Sequence, residues 1–381
     1  MTAFLRIGGN ELDDKVEIGS ISCTHGRTDI TSQPYPSTFK CRFQLNEGVT
    51  LPYEITLGSQ ISWSIYDSSI VGYPRRQIFL GTVSDLTISL QWLNGSGIFV
   101  YEVTGVDYIA VLNNKTYSSS LPKDYDGNRI DTVLSHYGYD TTAIETPGAY
   151  EIAVRSAVPG ANALTICQEA ANSAMGVLFC QPNSSGRIKY QSYLSRKSNT
   201  EITLTTSDIM ASDFVLSTST NTVANQVSLT YGTGSSGTVY NDTASQAIYG
   251  IRSGVRDTTL HNVTDANTIA QNILAARANP SFNLSSITVN TATISDALRT
   301  SMALVEVGTR ISITGLPTAE LESFKGYVEG YTWTTARGQD IIQMNLSNAA
   351  ELYPFTLWSD LNLTDTWNTY ATSTTKWSDI T

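Results

Sequence analysis

Histidine and cysteine are scarce in this chain, and neither is arranged for metal or redox chemistry. The three histidines, His25, His136 and His261, stand far apart, and none belongs to an HExxH motif. The four cysteines, Cys23, Cys41, Cys167 and Cys180, show no CxxC spacing and read as small core residues of a reducing compartment. Only Cys23-Thr-His25 offers a soft-metal pair, and Thr24-His-Gly-Arg-Thr-Asp reads more simply as a turn. Cations are thinly spread: 23 Lys and Arg against 34 Asp and Glu give a net charge of -11, and the basic runs are the dipeptides Arg75-Arg76 and Arg196-Lys197. Binding a phosphate backbone needs clustered Lys and Arg, so no sequence-specific nucleic-acid partner is expected. No apolar run approaches the roughly 20 residues that cross a bilayer, so no membrane-spanning segment is expected. Residues 1–20 carry Glu11, Asp13, Asp14 and Glu17 where a secretory signal has its apolar core. The expectation is a soluble protein made in a cytoplasm.

Catalytic motifs are missing too. No serine sits in a GxSxG elbow. Gly232-Thr-Gly-Ser-Ser-Gly237 fits neither a Walker A loop nor a dinucleotide fingerprint and reads as a flexible strand connection. Asp124 with Asp126, and Glu320 with Glu322, are the carboxylate pairs a glycosidase scheme would use, but neither comes with a sign of a cleft. Asp124-Tyr-Asp-Gly-Asn is oxygen-rich yet lacks the closing Glu of a calcium loop. No catalytic residue, cofactor or metal ligand is assigned, and the chain is not expected to be an enzyme.

What the chain does have is β patterning, and 381 residues are enough for two or three domains. Phe39–Leu45, Gln60–Tyr66 and Phe99–Val106 alternate apolar and polar residues, and Gln77–Val83 is a shorter strand whose Gly81 suggests a bulge. Asn46-Glu-Gly and Asn94-Gly-Ser-Gly read as turns. Helical spacing begins at Asn128 and again at Ala161, where Ala163, Ile166, Cys167, Ala170 and Ala174 share a face before Gly176. Val177–Cys180 and Arg187–Tyr190 then flank a hairpin turn. Strands return at Asn225–Tyr231, Asn283–Val289, Thr309–Thr314, Lys325–Trp333 and Asp340–Leu346. One helix interrupts them, Ala266–Arg277, capped by Thr264 or Asp265 and stopped by Pro280. The fold class expected is mainly β with an α+β insert: a first β-barrel over 1–115, an α+β unit over 116–200, a second β-barrel over 201–352, and a tail over 353–381.

That tail is unusual. Trp358, Trp367 and Trp377, half of the chain's six tryptophans, sit nine and ten residues apart, and each is followed three positions later by an apolar residue: Leu361, Tyr370 and Ile380. The segment is too short and polar to bury them itself, so these six residues are assigned to partner binding. The simpler alternative is an extension packed on its own barrel.

Three stretches in order carry a resemblance: Ile21-Ser-Cys-Thr-His-Gly-Arg-Thr-Asp leading to Gln33-Pro-Tyr-Pro-Ser, then Ile78-Phe-Leu-Gly-Thr-Val-Ser-Asp, then Val307-Gly-Thr-Arg-Ile-Ser-Ile-Thr-Gly-Leu-Pro with Gly326-Tyr-Val-Glu-Gly-Tyr-Thr-Trp. They resemble tail or baseplate hub proteins of long-tailed bacteriophages, most closely the minor tail proteins of phages that infect actinobacteria. The resemblance implies two hub-type barrels flanking the insert. It implies a homotrimer whose six barrels form a pseudo-sixfold ring at the distal tail end. The implied partners are the distal tail protein, other tail-tip or fibre proteins, and the tape-measure protein. The location implied is the virion tail tip. The chain stops soon after the second barrel, so host lysis or adhesion by a long extension is not expected. The competing reading is a carbohydrate-binding adhesion module of the virion, which would gather exposed aromatics on one barrel face. A hydrolase comes last.

Overall fold

The structure, a computed structural model, describes residues 2–12, 16–30, 32–45, 55–66, 75–93, 96–182, 187–210, 215–318, 321–336 and 339–352. Its frame is one 12-stranded mixed sheet. Thr2–Ile7, Gln60–Tyr66, Arg75–Leu93, Ser96–Val106, Tyr35–Leu45 and Val16–Gly26 follow one another as antiparallel neighbours. The 16-residue strand Leu321–Ala336 then takes Val16–Gly26 and Arg310–Thr318 along one edge and Gln339–Asn348 along the other. Glu201–Thr205 closes that end as a parallel neighbour of Arg310–Thr318. Two separate barrels were expected. Among the described residues the strands of both β stretches instead join in one sheet, and no barrel closes. Alternation identifies a strand and its buried face but not its neighbour, and one strand long enough for three partners fuses what reads as two units.

Two large apolar cores result among the described residues. The sheet core includes Phe39, Phe43, Trp63, Phe79, Trp333 and Met344. The second fills the α+β body, where helices Asp126–His136 and Ala163–Ser173 and the hairpin Val177–Gln181/Arg187–Gln191 bury Ile130, Val133, Ile166, Cys167 and Leu178. Val227, Leu229, Ala266 and Ile269, from the strand Gln226–Tyr231 and the helix Val263–Arg277, complete it.

Local differences from the sequence reading have physical causes. Gly81 marks no bulge; a Cβ there would stand 2.1 Å from the Val106 carbonyl oxygen, so it is glycine for close strand approach. The register shifts fall instead at Ile78, against Gln60–Tyr66, and between Val83 and Asp85, against Ser96–Val106, and the strand runs on to Leu93. Helix Val263–Arg277 is capped by Asn262, whose side chain accepts from the Asp265 amide at 2.8 Å, rather than by Thr264 or Asp265. Thr24 and His25 lie in the strand Val16–Gly26, not in a turn. The turns at Asn46 and Asn94 lie outside the described residues.

Candidate functional site

The three stretches that carry the resemblance meet at one place. Strand Val16–Gly26 ends with Gly26 at φ +84°, where a Cβ would lie 2.3 Å from the Glu329 carbonyl oxygen. Opposite it, a Cβ on Gly330 would lie 2.4 Å from the Arg27 carbonyl oxygen. Both glycines are therefore required for the two backbones to cross. The register between Leu321–Ala336 and Gln339–Asn348 shifts between Val328 and Gly330, so Glu329 is the extra residue of a bulge. Its carboxylate is buried. Arg27 donates to Oε2 at 2.6 Å, and Arg196 and Ser347 donate to Oε1 at 2.9 and 2.5 Å. Burial alone would raise the Glu329 pKa, but Arg196 and Arg27, with the Ser347 hydroxyl, overcome it and hold the group at about 2. Arg196 also lies over the Tyr327 ring, 5.4 Å from its centroid. This network locks the first β stretch, the second β stretch and the 3-10 turn Ser195–Ser198 together.

His25 and Cys23 share a face of the strand, and both are buried. His25 Nε2 lies 2.9 Å from the Ile78 carbonyl oxygen, which only accepts, so Nε2 carries the proton; Nδ1 lies 2.9 Å from Ser37 Oγ. The second resemblance stretch is thereby tied to the first. Burial lowers the His25 pKa to about 4. Between pH 6.5 and about 4 the unfolded chain takes up a proton that the folded chain refuses, so stability falls as pH falls through that window, by up to about 3 kcal/mol. Urea midpoints at pH 7 and pH 4.5 check this: wild type is expected to lose more stability than His25→Gln. Asp107 and Asp126, both pushed up to about 6 mainly by burial, act in the opposite sense and cancel in the comparison.

A second feature is an uncovered apolar stripe. Beyond Val83, which still bonds Gly58 and Ser59, the strand Arg75–Leu93 has no described neighbour on one edge, and past Val100, where Tyr35–Leu45 stops pairing with Ser96–Val106, the two strands project as a hairpin. Leu86 pairs with Val103 over the sheet core, and the same face continues outward through the cross-strand pairs Ile88/Tyr101, Leu90/Phe99 and Trp92/Gly97. Ile88, Leu90, Trp92 and Phe99 are 51%, 48%, 73% and 47% exposed. These four side chains form an exposed apolar face continuous with the sheet core.

Of the residues that the sequence singles out, Asp126 is buried and accepts from the Ala149 and Tyr150 amides and the Tyr190 hydroxyl, while Asp124 accepts from Asn128 at 2.8 Å. The pair braces a helix start. Glu320, the side chain of Glu322, and Trp358, Leu361, Trp367, Tyr370, Trp377 and Ile380 lie outside the described residues. The described residues contain no group of three or more His, Cys, Asp or Glu placed to hold a metal, and no helix among them is long and apolar enough to cross a membrane.

No protein-family model and no curated protein matches the chain. Solved structures do. The prophage MuSo2 43 kDa tail protein from Shewanella oneidensis aligns with TM-score 0.60 at 12% identity, over 92% of this chain and 98% of that one. The tail protein from Neisseria meningitidis MC58 aligns with TM-score 0.59 at 13% identity, over 91% and 96%. The E. coli c3393 protein, a type VI secretion component described as structurally similar to the T4 bacteriophage tail proteins gp27 and gp5, aligns with TM-score 0.54 at 13% identity, over 92% and 78%. At these identities the likeness is one of fold. This chain has the fold of phage tail proteins, over nearly its whole length. The actinobacterial leaning of the sequence resemblance finds no support in these structures.

Proposed function

We propose that the chain is a structural subunit of a phage tail, the hub at the distal tail end, and that its role is not enzymatic. The observation that carries this is the fold match to the Shewanella and Neisseria tail proteins over nine-tenths or more of both chains. Three copies form the ring. The strands of 1–115 and of 201–352 that join in the common sheet supply the two halves of the pseudo-sixfold arrangement, with 116–200, completed by residues of 226–277, as the α+β unit. The distal tail protein binds one side and tip or fibre proteins the other, with the tape-measure protein in the channel. The exposed Ile88–Trp92 stripe suits contact between copies, because a neighbour covering it extends an existing core. Residues 353–381 are the docking tail, with Trp358, Trp367 and Trp377 as anchors and Leu361, Tyr370 and Ile380 beside them. The adhesion reading has less behind it: Tyr35 and Trp92, the most exposed described aromatics, stand toward opposite ends of the paired strands.

Electron microscopy of particles carrying an epitope-tagged copy tests the location. Gold-labelled antibody is expected at the distal tail end only. Label along the tube, on the head, or absent from particles would refute the proposal.

A further inference from the structure

Between the sheet and the α+β body lies a cavity of about 290 Å³, near the lower end of the range for small-ligand sites. Its wall combines apolar Ile30, Met175, Val227 and Ile273 with Arg256 and Arg277. Arg27 borders it too, but that guanidinium is already paired with Glu329. Arg256 donates to the Asn172 carbonyl at 2.8 Å and has no ion pair among the described residues. The Arg277 side chain has neither a hydrogen bond nor an ion pair among them. Burial lowers the Arg256 pKa, and Arg277 and Arg27 lower it further. Two cations thus share a part-apolar cavity without a described counter-ion, in a chain of net charge -11. Both arginines are half-buried, so an anion between their guanidinium groups would gain two charge-assisted partners, and the cavity fits a ligand that is both anionic and apolar.

The chain itself carries such a segment. The described fold ends with the short helix Ala349–Leu352, which packs against Val263–Arg277, the helix bearing Ile273 and Arg277. Ala349 packs into the same small cluster as Ile30 and Met175, so the chain leaves the fold beside the cavity. Trp358 follows Leu352 by six residues, a reach of up to about 20 Å when extended, and Asp360 follows two residues later.

We propose that this cavity seats the chain's own first Trp-Ser-Asp repeat, with the Asp360 carboxylate between Arg256 and Arg277 and the Trp358 indole against Met175, Val227 and Ile273. The inference rests on the docking reading of the tail and narrows it. The first repeat is held by its own subunit, and Trp367 and Trp377 are left to reach a partner.

Hydrogen–deuterium exchange on the full chain tests this, comparing wild type with Asp360→Asn, Arg256→Gln and the double variant. Amides of 172–176 and 270–277 are expected to exchange about tenfold faster in either single variant and no faster in the double, because both changes break one contact. The swap Asp360→Arg with Arg277→Glu is expected to restore protection. Wild-type protection in Asp360→Asn would overturn the proposal, whatever the Arg256 variant does to folding. So would a gain of protection in wild type on adding inorganic phosphate, which would mean an empty pocket for free anions. Neither outcome touches the hub reading, which is judged separately by labelling of particles.

Discussion

Glu329→Ala is expected to cost about 3–5 kcal/mol of folding stability, because it leaves two guanidinium groups buried without a counter-charge. The Arg27 and Arg196 side chains are 3% and 0% exposed, so water cannot take over the role of the carboxylate. Urea denaturation monitored by tryptophan fluorescence measures the loss; a cost below about 1 kcal/mol would mean that the network does not hold the two β stretches together. The pH dependence follows the same carboxylate. Its folded pKa of about 2 lies below the ordinary 4.5, so its contribution is complete above pH 4.5 and is lost as pH falls from 4.5 toward 2. Glu329→Gln is expected to lose this acid sensitivity while being less stable than wild type at pH 7. The network is not an argument for high net stability. Replacing Arg27, Arg196 and Glu329 together by apolar residues of similar volume is expected to recover most of what Glu329→Ala loses.

The second large effect concerns assembly. Leu90→Asp with Trp92→Asp is expected to abolish self-association while leaving the fold intact. Both side chains project from the part of the hairpin that leaves the core, so they contribute little to folding. Buried at an interface, an aromatic anchor contributes about 2 kcal/mol or more, and a carboxylate in its place adds a desolvation cost. Sedimentation velocity should show the wild-type complex replaced by monomer, with the thermal midpoint changed by no more than a few degrees. A complex of unchanged mass would exclude the stripe as the contact between copies.

Much of this architecture was legible in the chain. Gln60–Tyr66 alternates and forms a strand with those bounds, and Ala163, Ile166, Cys167, Ala170 and Ala174 keep helical spacing and are all buried. Strand partners were not legible. Nothing local to Leu321–Ala336 says that it pairs with residues three hundred positions earlier. Glu329 was hidden for a related reason: in a regular strand a charged residue between Val328 and Gly330 reads as solvent-facing, and only the bulge turns it inward. The glycines in Gly326-Tyr-Val-Glu-Gly were the available signal, since glycine inside a strand marks a bulge or a close crossing. The hairpin stripe could have been found, because Leu86, Ile88, Leu90 and Trp92 alternate as clearly as any core strand. The sequence does not single out Asn262 as the cap, because Asn-Val-Thr-Asp offers three capping side chains within four residues. Arg256 and Arg277 are 21 positions apart, and only the tertiary fold places them on one cavity.

The mass of the purified full-length protein, measured by native mass spectrometry across micromolar concentrations, tests the hub assignment most directly. A trimer of the 41.4 kDa chain is the predicted result. A monomer at every concentration, or a dimer that cannot form a threefold ring, would contradict it.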